Sequence, residues 1–172
     1  MRIDVKKLLI AVLGCQAVGA LGAIITFPSI ASGWYSMLNK PDFTPPSAVF
    51  GPVWTVLYLL MGLSLYILWV RWSAASKRGK SKKLAPVTRL ALQSALVLSV
   101  LQLAFNFSWS LFFFGFQLPT VALVVIVVLW ISVATIIAKA WRVSSIAGLL
   151  LLPYLAWISF AGLLNLYIVM MN

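Results

Sequence analysis

The chain has 172 residues, of which 63% are hydrophobic and 9% charged, and its formal net charge is +11. So few polar groups cannot cover a water-soluble domain of this size, so a soluble globular fold is excluded. With no histidine, one cysteine and two acidic residues, the chain also lacks the means for imidazole catalysis, internal disulfides and the common zinc constellations.

A bilayer core takes roughly 20 residues of helix, and five apolar blocks reach that length. Lipid leaves open backbone groups unsatisfied, so each block is read as a continuous helix, and no barrel-like alternation is visible. The expectation is an all-α integral membrane protein, a bundle of five transmembrane helices forming one domain over 1–172. The helices are expected at about 5–27, 47–72, 87–113, 119–139 and 146–169.

The first block starts like a signal peptide, with basic residues before an apolar run. That run continues through Phe27 and four more follow, so it is read as an uncleaved first span. Gly14, Val18 and Gly22, with Cys15, Gly19 and Ala23 beside them, form a small-residue packing face, either within the monomer or at a dimer seam. Pro28 is expected to close this helix. An outer loop at about 28–46 follows, holding Trp34, Lys40, Pro41, Asp42, Pro45 and Pro46. Its prolines restrict the backbone before the second helix, and the loop reads as a lid over one end of the bundle. Lys40 is read either as the partner of Asp42 or as a contact for an anionic ligand group.

The second helix ends in Trp69, Arg71 and Trp72, an aromatic and basic anchor. The fourth is nearly featureless and reads as a structural span, and the fifth contains Pro153, expected to bend it. With five spans, twelve of the thirteen basic residues fall on one side and only Lys40 on the other. This asymmetry puts the N-terminus in the cytoplasm and the C-terminus outside, and the KRGKSKK run against anionic headgroups. It also explains the positive charge without nucleic acid. An odd number of helices without an internal repeat argues against a simple inverted-repeat transporter.

Polar side chains in lipid are costly unless they face protein or a cavity. Gln102, Asn106 and Trp109 share one stripe of the third helix. Pro153, Trp157, Ala161 and Asn165 recur every four residues in the fifth, as do Trp54, Tyr58 and Gly62 in the second. Each stripe alone fits interhelical packing and hydrogen bonding. Together they suggest a pocket of flat rings and a few amides, suited to a large, mostly apolar, planar ligand. Of the eight tryptophans, Trp34, Trp54, Trp109 and Trp157 lie toward the loop end and are the cavity candidates. Trp69, Trp72 and Trp141 read as an interfacial belt, and Trp130 as lipid-facing.

WYSMLNKPDFTPPSAVFGPVWTVLY, QLAFNFSWSLFF at 102–113 and PYLAWISFAGLLN at 153–165 resemble the TspO/MBR family, the tryptophan-rich sensory proteins related to mitochondrial translocator protein. The resemblance spans nearly the whole chain. It implies a five-helix, usually dimeric fold whose pocket opens toward the first loop, and ligands such as protoporphyrin IX. Carried over residue by residue, it brings Tyr35, Trp54, Gln102, Asn106, Trp157 and Ala161 to the ligand. Tyr58 and Trp109 join them from the stripes.

The resemblance further implies a membrane receptor or carrier for tetrapyrroles. As alternatives it leaves a porphyrin transporter, or a light-dependent porphyrin-degrading enzyme in which Trp54 and Trp157 act on the excited ligand. The chain offers no acid–base pair or nucleophile for conventional catalysis. Without histidine no permanently bound haem is expected, and the tetrapyrrole is a ligand rather than a cofactor. The family's sterol-associated segment needs a basic residue just after a tyrosine, whereas Tyr167 is followed by IVMMN. The resemblance therefore does not extend to specific cholesterol binding. A short N-terminus without a transit peptide points to a bacterial plasma membrane.

Overall fold

The computed structural model describes residues 3–77 and 86–172. It is all-helical, and five helical segments are long and apolar enough to cross a bilayer. These are α1 (Val5–Ala31), α3 (Ser47–Lys77), α4 (Pro86–Ser110) with the π-helical turn Leu111–Gly115, α5 (Pro119–Trp141), and the pair α6 (Ser145–Leu149) and α7 (Leu152–Met171). A short α2 (Trp34–Met37) lies in the first loop. The KRGKSKK run lies outside the described residues from Arg78 onward, and with it the expected contact to headgroups.

The N-terminus of α1 is capped by Asp4, whose carboxylate accepts from the Lys7 amide at 3.2 Å and pairs with its ammonium at 3.3 Å. At the other end the helix does not stop at Pro28 but carries it internally and runs to Ala31. Beyond it the Ser29 hydroxyl donates to the Phe114 carbonyl, and the Ser32 amide closes on the Pro28 carbonyl at 2.9 Å. What ends the helix is Gly33, whose φ of 80° lies in the left-handed region that glycine enters without strain.

The bland α5 is the spine of the bundle. It packs along α4 and against α7 and buries Ala122, Ile126, Leu129, Val133, Ile136 and Ala140. Around it Leu57, Tyr58 and Met61 of α3 meet Tyr154 and Ile158 of α7 in the main core.

α1 and α3 lie against each other, and their contact changes along its length. At one end they touch backbone to backbone: a Cβ on Gly62 would come within 2.6 Å of the Val12 Cα. Further along, Gly19 makes room for the Tyr58 ring, whose atoms would stand 2.5 Å from an added Cβ. At Gly51 nothing lies within 4 Å of that position. The two helices thus diverge toward the first loop.

The fifth span is broken rather than bent. Pro153 sits in the first turn of α7, where its missing N–H costs nothing, and α6 is pinned separately by the Ser64 hydroxyl donating to the Ala147 carbonyl at 2.8 Å. The third span changes pitch at Leu111–Gly115 instead of remaining α-helical through 113. A π turn holds one residue more than an α turn. Here it lets both Phe113 and Phe114 reach Trp109, one stacked at 5.2 Å and the other edge-on at 6.0 Å.

Candidate functional site

Where α1 and α3 part, they enclose with α4, the π turn and α7 a cavity of about 500 Å³. The volume falls within the roughly 300–1,000 Å³ usual for small-molecule sites. Its walls are aromatic: Phe50, Trp54 and Tyr58 from α3, Trp109 with Phe113 and Phe114, and Tyr35 from the first loop. The α1 wall is built of Gly19, Ala20, Gly22 and Ala23, so the small-residue face lets rings and empty space approach the helix backbone. Cys15 and Gly22 on that face are buried within the monomer, while Gly14 is exposed with nothing within 4 Å of an added Cβ.

Of the residues singled out from the sequence, Tyr35, Trp54, Tyr58, Asn106, Trp109 and Ala161 line the cavity. Gln102 does not; it lies buried one helical turn below, in a chain of hydrogen bonds that begins at the wall. The Tyr58 hydroxyl donates to the Asn106 Oδ1. Asn106 Nδ2 donates to the Tyr154 oxygen at 2.8 Å, and the Tyr154 hydroxyl donates to Gln102 Oε1 at 2.9 Å. Gln102 Nε2 then meets the Ser99 carbonyl at 3.3 Å and the Met61 sulfur at 3.5 Å. The donors run in one sequence, from Tyr58 and Asn106 at the wall to Tyr154 and Gln102 behind it. This satisfies four polar side chains in a setting where each would otherwise be costly.

Trp157 also stands outside the cavity lining. Its ring packs edge-on against Phe50 at 5.8 Å, behind the wall. Among the buried side-chain polar atoms of the described residues, its Nε1 is the one without a hydrogen-bond partner. Trp109 differs: its Nε1 donates to Asn165 Oδ1 at 3.1 Å, and Asn165 Nδ2 donates to the Pro119 carbonyl at 2.9 Å.

Sequence reading missed Phe50, Phe113 and Phe114 of the wall, which carry no polar or stripe signal, and Tyr154 of the hydrogen-bond chain behind it. Stepping every four residues from Pro153 drifts about 40° around the helix at each step. The buried face of α7 instead runs through Tyr154, Ile158, Ala161, Asn165 and Ile168, spaced by fours and threes. That alternation, read from the polar Asn165 backward, is the signal that finds Tyr154.

The first loop is docked rather than loose. Trp34 meets Phe113 and Phe114 edge-on at 5.9 and 6.4 Å, and Phe43 meets Tyr167 at 5.4 Å. Asn39 and Asn172 exchange hydrogen bonds of 3.0 Å that tie the loop to the end of α7. Pro41 is buried, Asp42 is exposed, and Pro45 and Pro46 lead into α3.

Lys40 does not pair with Asp42. Its ammonium donates to the carbonyls of Tyr35, Leu38 and Ser36 at 2.6, 3.0 and 3.3 Å and lies 4.8 Å from the Tyr35 ring centre. The end of a helical turn exposes carbonyls that need donors, and a flexible ammonium supplies several at once. Burial pushes the Tyr35 hydroxyl above its ordinary value, so it stays neutral at physiological pH.

The fold and cavity define a multi-pass membrane protein with an aromatic chamber inside a five-helix bundle. Residues 11–171 match the TspO/MBR family, and the chain belongs to it. It is 39% identical over 169 residues to the tryptophan-rich protein TspO of Archaeoglobus fulgidus, covering 98% of this chain and 99% of the relative. It is 40% identical over 159 residues to the protein of that name from Chlorobaculum tepidum, covering 92% and 90%. The translocator protein of Bos taurus is 38% identical over 133 residues, covering 77% and 70%.

Proposed function

We propose that this protein is a membrane receptor or carrier that binds a tetrapyrrole such as protoporphyrin IX in the aromatic cavity. The observation that carries the reading is the cavity wall. Trp54, Tyr58, Trp109 and Phe113 supply flat faces, and Asn106 is one of three amides in the wall, with Gln16 and Asn165, held by its bonds to Tyr58 and Tyr154. A planar macrocycle stacks on rings and takes its orientation from a few polar groups. The first loop is the lid: Tyr35 contributes to the cavity and Lys40 holds Tyr35 in place through its carbonyl. Lys7 and Arg71 lie at the end that the positive-inside asymmetry favours as cytoplasmic, a reading in which the cavity opens toward the outer leaflet.

Titration of the purified protein with protoporphyrin IX, followed by tryptophan quenching, tests the site. Affinity is expected to fall about fivefold in Trp54→Phe, since the smaller ring weakens a stacking contact worth on the order of 1 kcal/mol. The Trp157→Phe variant is expected to bind nearly as the parent does. Unchanged affinity in Trp54→Phe would remove the cavity from consideration. Illumination of the same complexes separates a carrier from a degrading enzyme: ligand bleaching that requires Trp54 would favour the enzyme.

A further inference from the structure

A second cavity, about 530 Å³ in volume, lies far from the aromatic chamber, in a cleft between α4 and α5. Its walls include Leu90 and Ala91 on α4 and Trp130 and Ala134 on α5, and Lys139 and Arg142 stand at its end. From Trp130 to Arg142 is twelve residues, about 18 Å of helix. That is close to the depth of one leaflet, half of a core of roughly 30 Å. Trp130 forms the far wall, fixed by its Nε1 donating to the Ser159 hydroxyl at 2.8 Å.

The two cations have no internal counterion. The chain contains only two acidic residues; Asp4 pairs with Lys7, and Asp42 sits in the loop between α2 and α3. Lys139 lies in the last turn of α5, where a positive charge also offsets the helix dipole, so its charge alone would carry little. But the carbonyl cap beyond that helix end is already served by Arg71, which donates to the Val143 carbonyl at 2.7 Å. Arg89, nearby in sequence to the α4 wall, is held over the Trp72 ring at 5.9 Å. Lys139 and Arg142 are thus left facing a greasy groove of leaflet depth.

We infer that this groove is a binding site for an anionic phospholipid, with its phosphate between Lys139 and Arg142 and one acyl chain laid along Ala134 to Trp130. Charge complementarity selects this occupant over a second copy of the chain. A symmetric contact here would set Lys139 and Arg142 against their own kind with no carboxylate between them, and like charges at close range repel. A zwitterionic lipid offers the same phosphate but brings its own ammonium beside the two cations, so the net attraction is smaller. Basic pockets between membrane helices on the cytoplasmic side take anionic headgroups for the same reason.

Native mass spectrometry of the detergent-solubilised protein, with equal amounts of phosphatidylglycerol and phosphatidylcholine added, tests the inference. The expected result is retention of one phosphatidylglycerol per chain in preference to phosphatidylcholine. Each basic group near an anionic headgroup contributes a factor of roughly five, so the Lys139→Gln, Arg142→Gln double variant should bind about 25-fold more weakly. Ala134→Phe fills the groove without touching charge and should also lose the lipid, while protoporphyrin IX binding in the other cavity stays as in the parent. Equal retention of both lipids would overturn the proposal. So would full phosphatidylglycerol binding in Ala134→Phe, or a dimer peak that disappears with the double variant.

Discussion

The two ends of the α1–α3 seam are made from the same residue types and do opposite things. At the basic end Gly62 brings the helix backbones into contact at Val12, and the seam is shut. At the loop end Gly19 faces the Tyr58 ring and Gly51 faces open space, and the seam becomes a cavity. Glycine by itself therefore encodes neither closeness nor emptiness. What decides is the partner: aliphatic backbone at one end, and at the other the Tyr58 and Trp54 rings, too large to let α1 settle onto α3. The tight end then acts as the fulcrum from which the helices diverge.

The largest effect is expected from breaking that fulcrum. Gly62→Val should destabilise the protein by about 3 kcal/mol, because the new side chain meets the Val12 backbone and neither helix can move without repacking the core. Unfolding in mixed micelles, followed by circular dichroism, would measure it. A loss no larger than that of an exposed substitution would mean that the seam is not closed there.

Next comes the hydrogen-bond chain that anchors the cavity wall. Asn106→Leu strands the Tyr58 hydroxyl and removes a donor from Tyr154, at a cost of about 2 kcal/mol. The same unfolding titration reads it, and a neutral outcome would show that the two tyrosines find other partners.

Smaller still is the effect of Lys40→Gln, which loses an ammonium serving three carbonyls of the first loop. Allowing for its partial exposure, about 1 kcal/mol is at stake, or roughly fivefold faster amide exchange over residues 33–46. Exchange that does not change would mean that the Asn39–Asn172 bonds and the Phe43 contact hold the loop by themselves.

The control sits at the exposed edge of the small-residue face of α1. Gly14→Ala meets nothing within 4 Å and should leave stability unchanged or raise it by up to about 1 kcal/mol through helix propensity. Destabilisation there would place an unseen partner on that face.

The helices were legible in the sequence because a bilayer demands length and apolarity, and both can be counted. The end of α1 was not, since a proline disfavours a helix interior without forbidding it, and the helix runs past Pro28 to the left-handed Gly33. The role of Lys40 was hidden for a related reason: backbone carbonyls have no letter in the sequence, whereas Asp42 does. On α4 the spacing of four then three keeps Gln102, Asn106 and Trp109 on one face, of which Asn106 and Trp109 line the cavity. The strict fours on α7 drifted off it, promoting Trp157, which lies behind Phe50, and passing over Tyr154.

Cys15 is the chain's one thiol, 1% exposed, three residues from Val12 and four from Gly19. It sits where the shut part of the seam gives way to the open part. A membrane-permeant alkylating reagent can reach it only while α1 stands away from its neighbours, so its labelling rate counts those moments directly. No engineered probe is needed to time the breathing of this seam. A ligand that fills the chamber without wedging the helices should lengthen the labelling half-life, and one that pries them apart should shorten it.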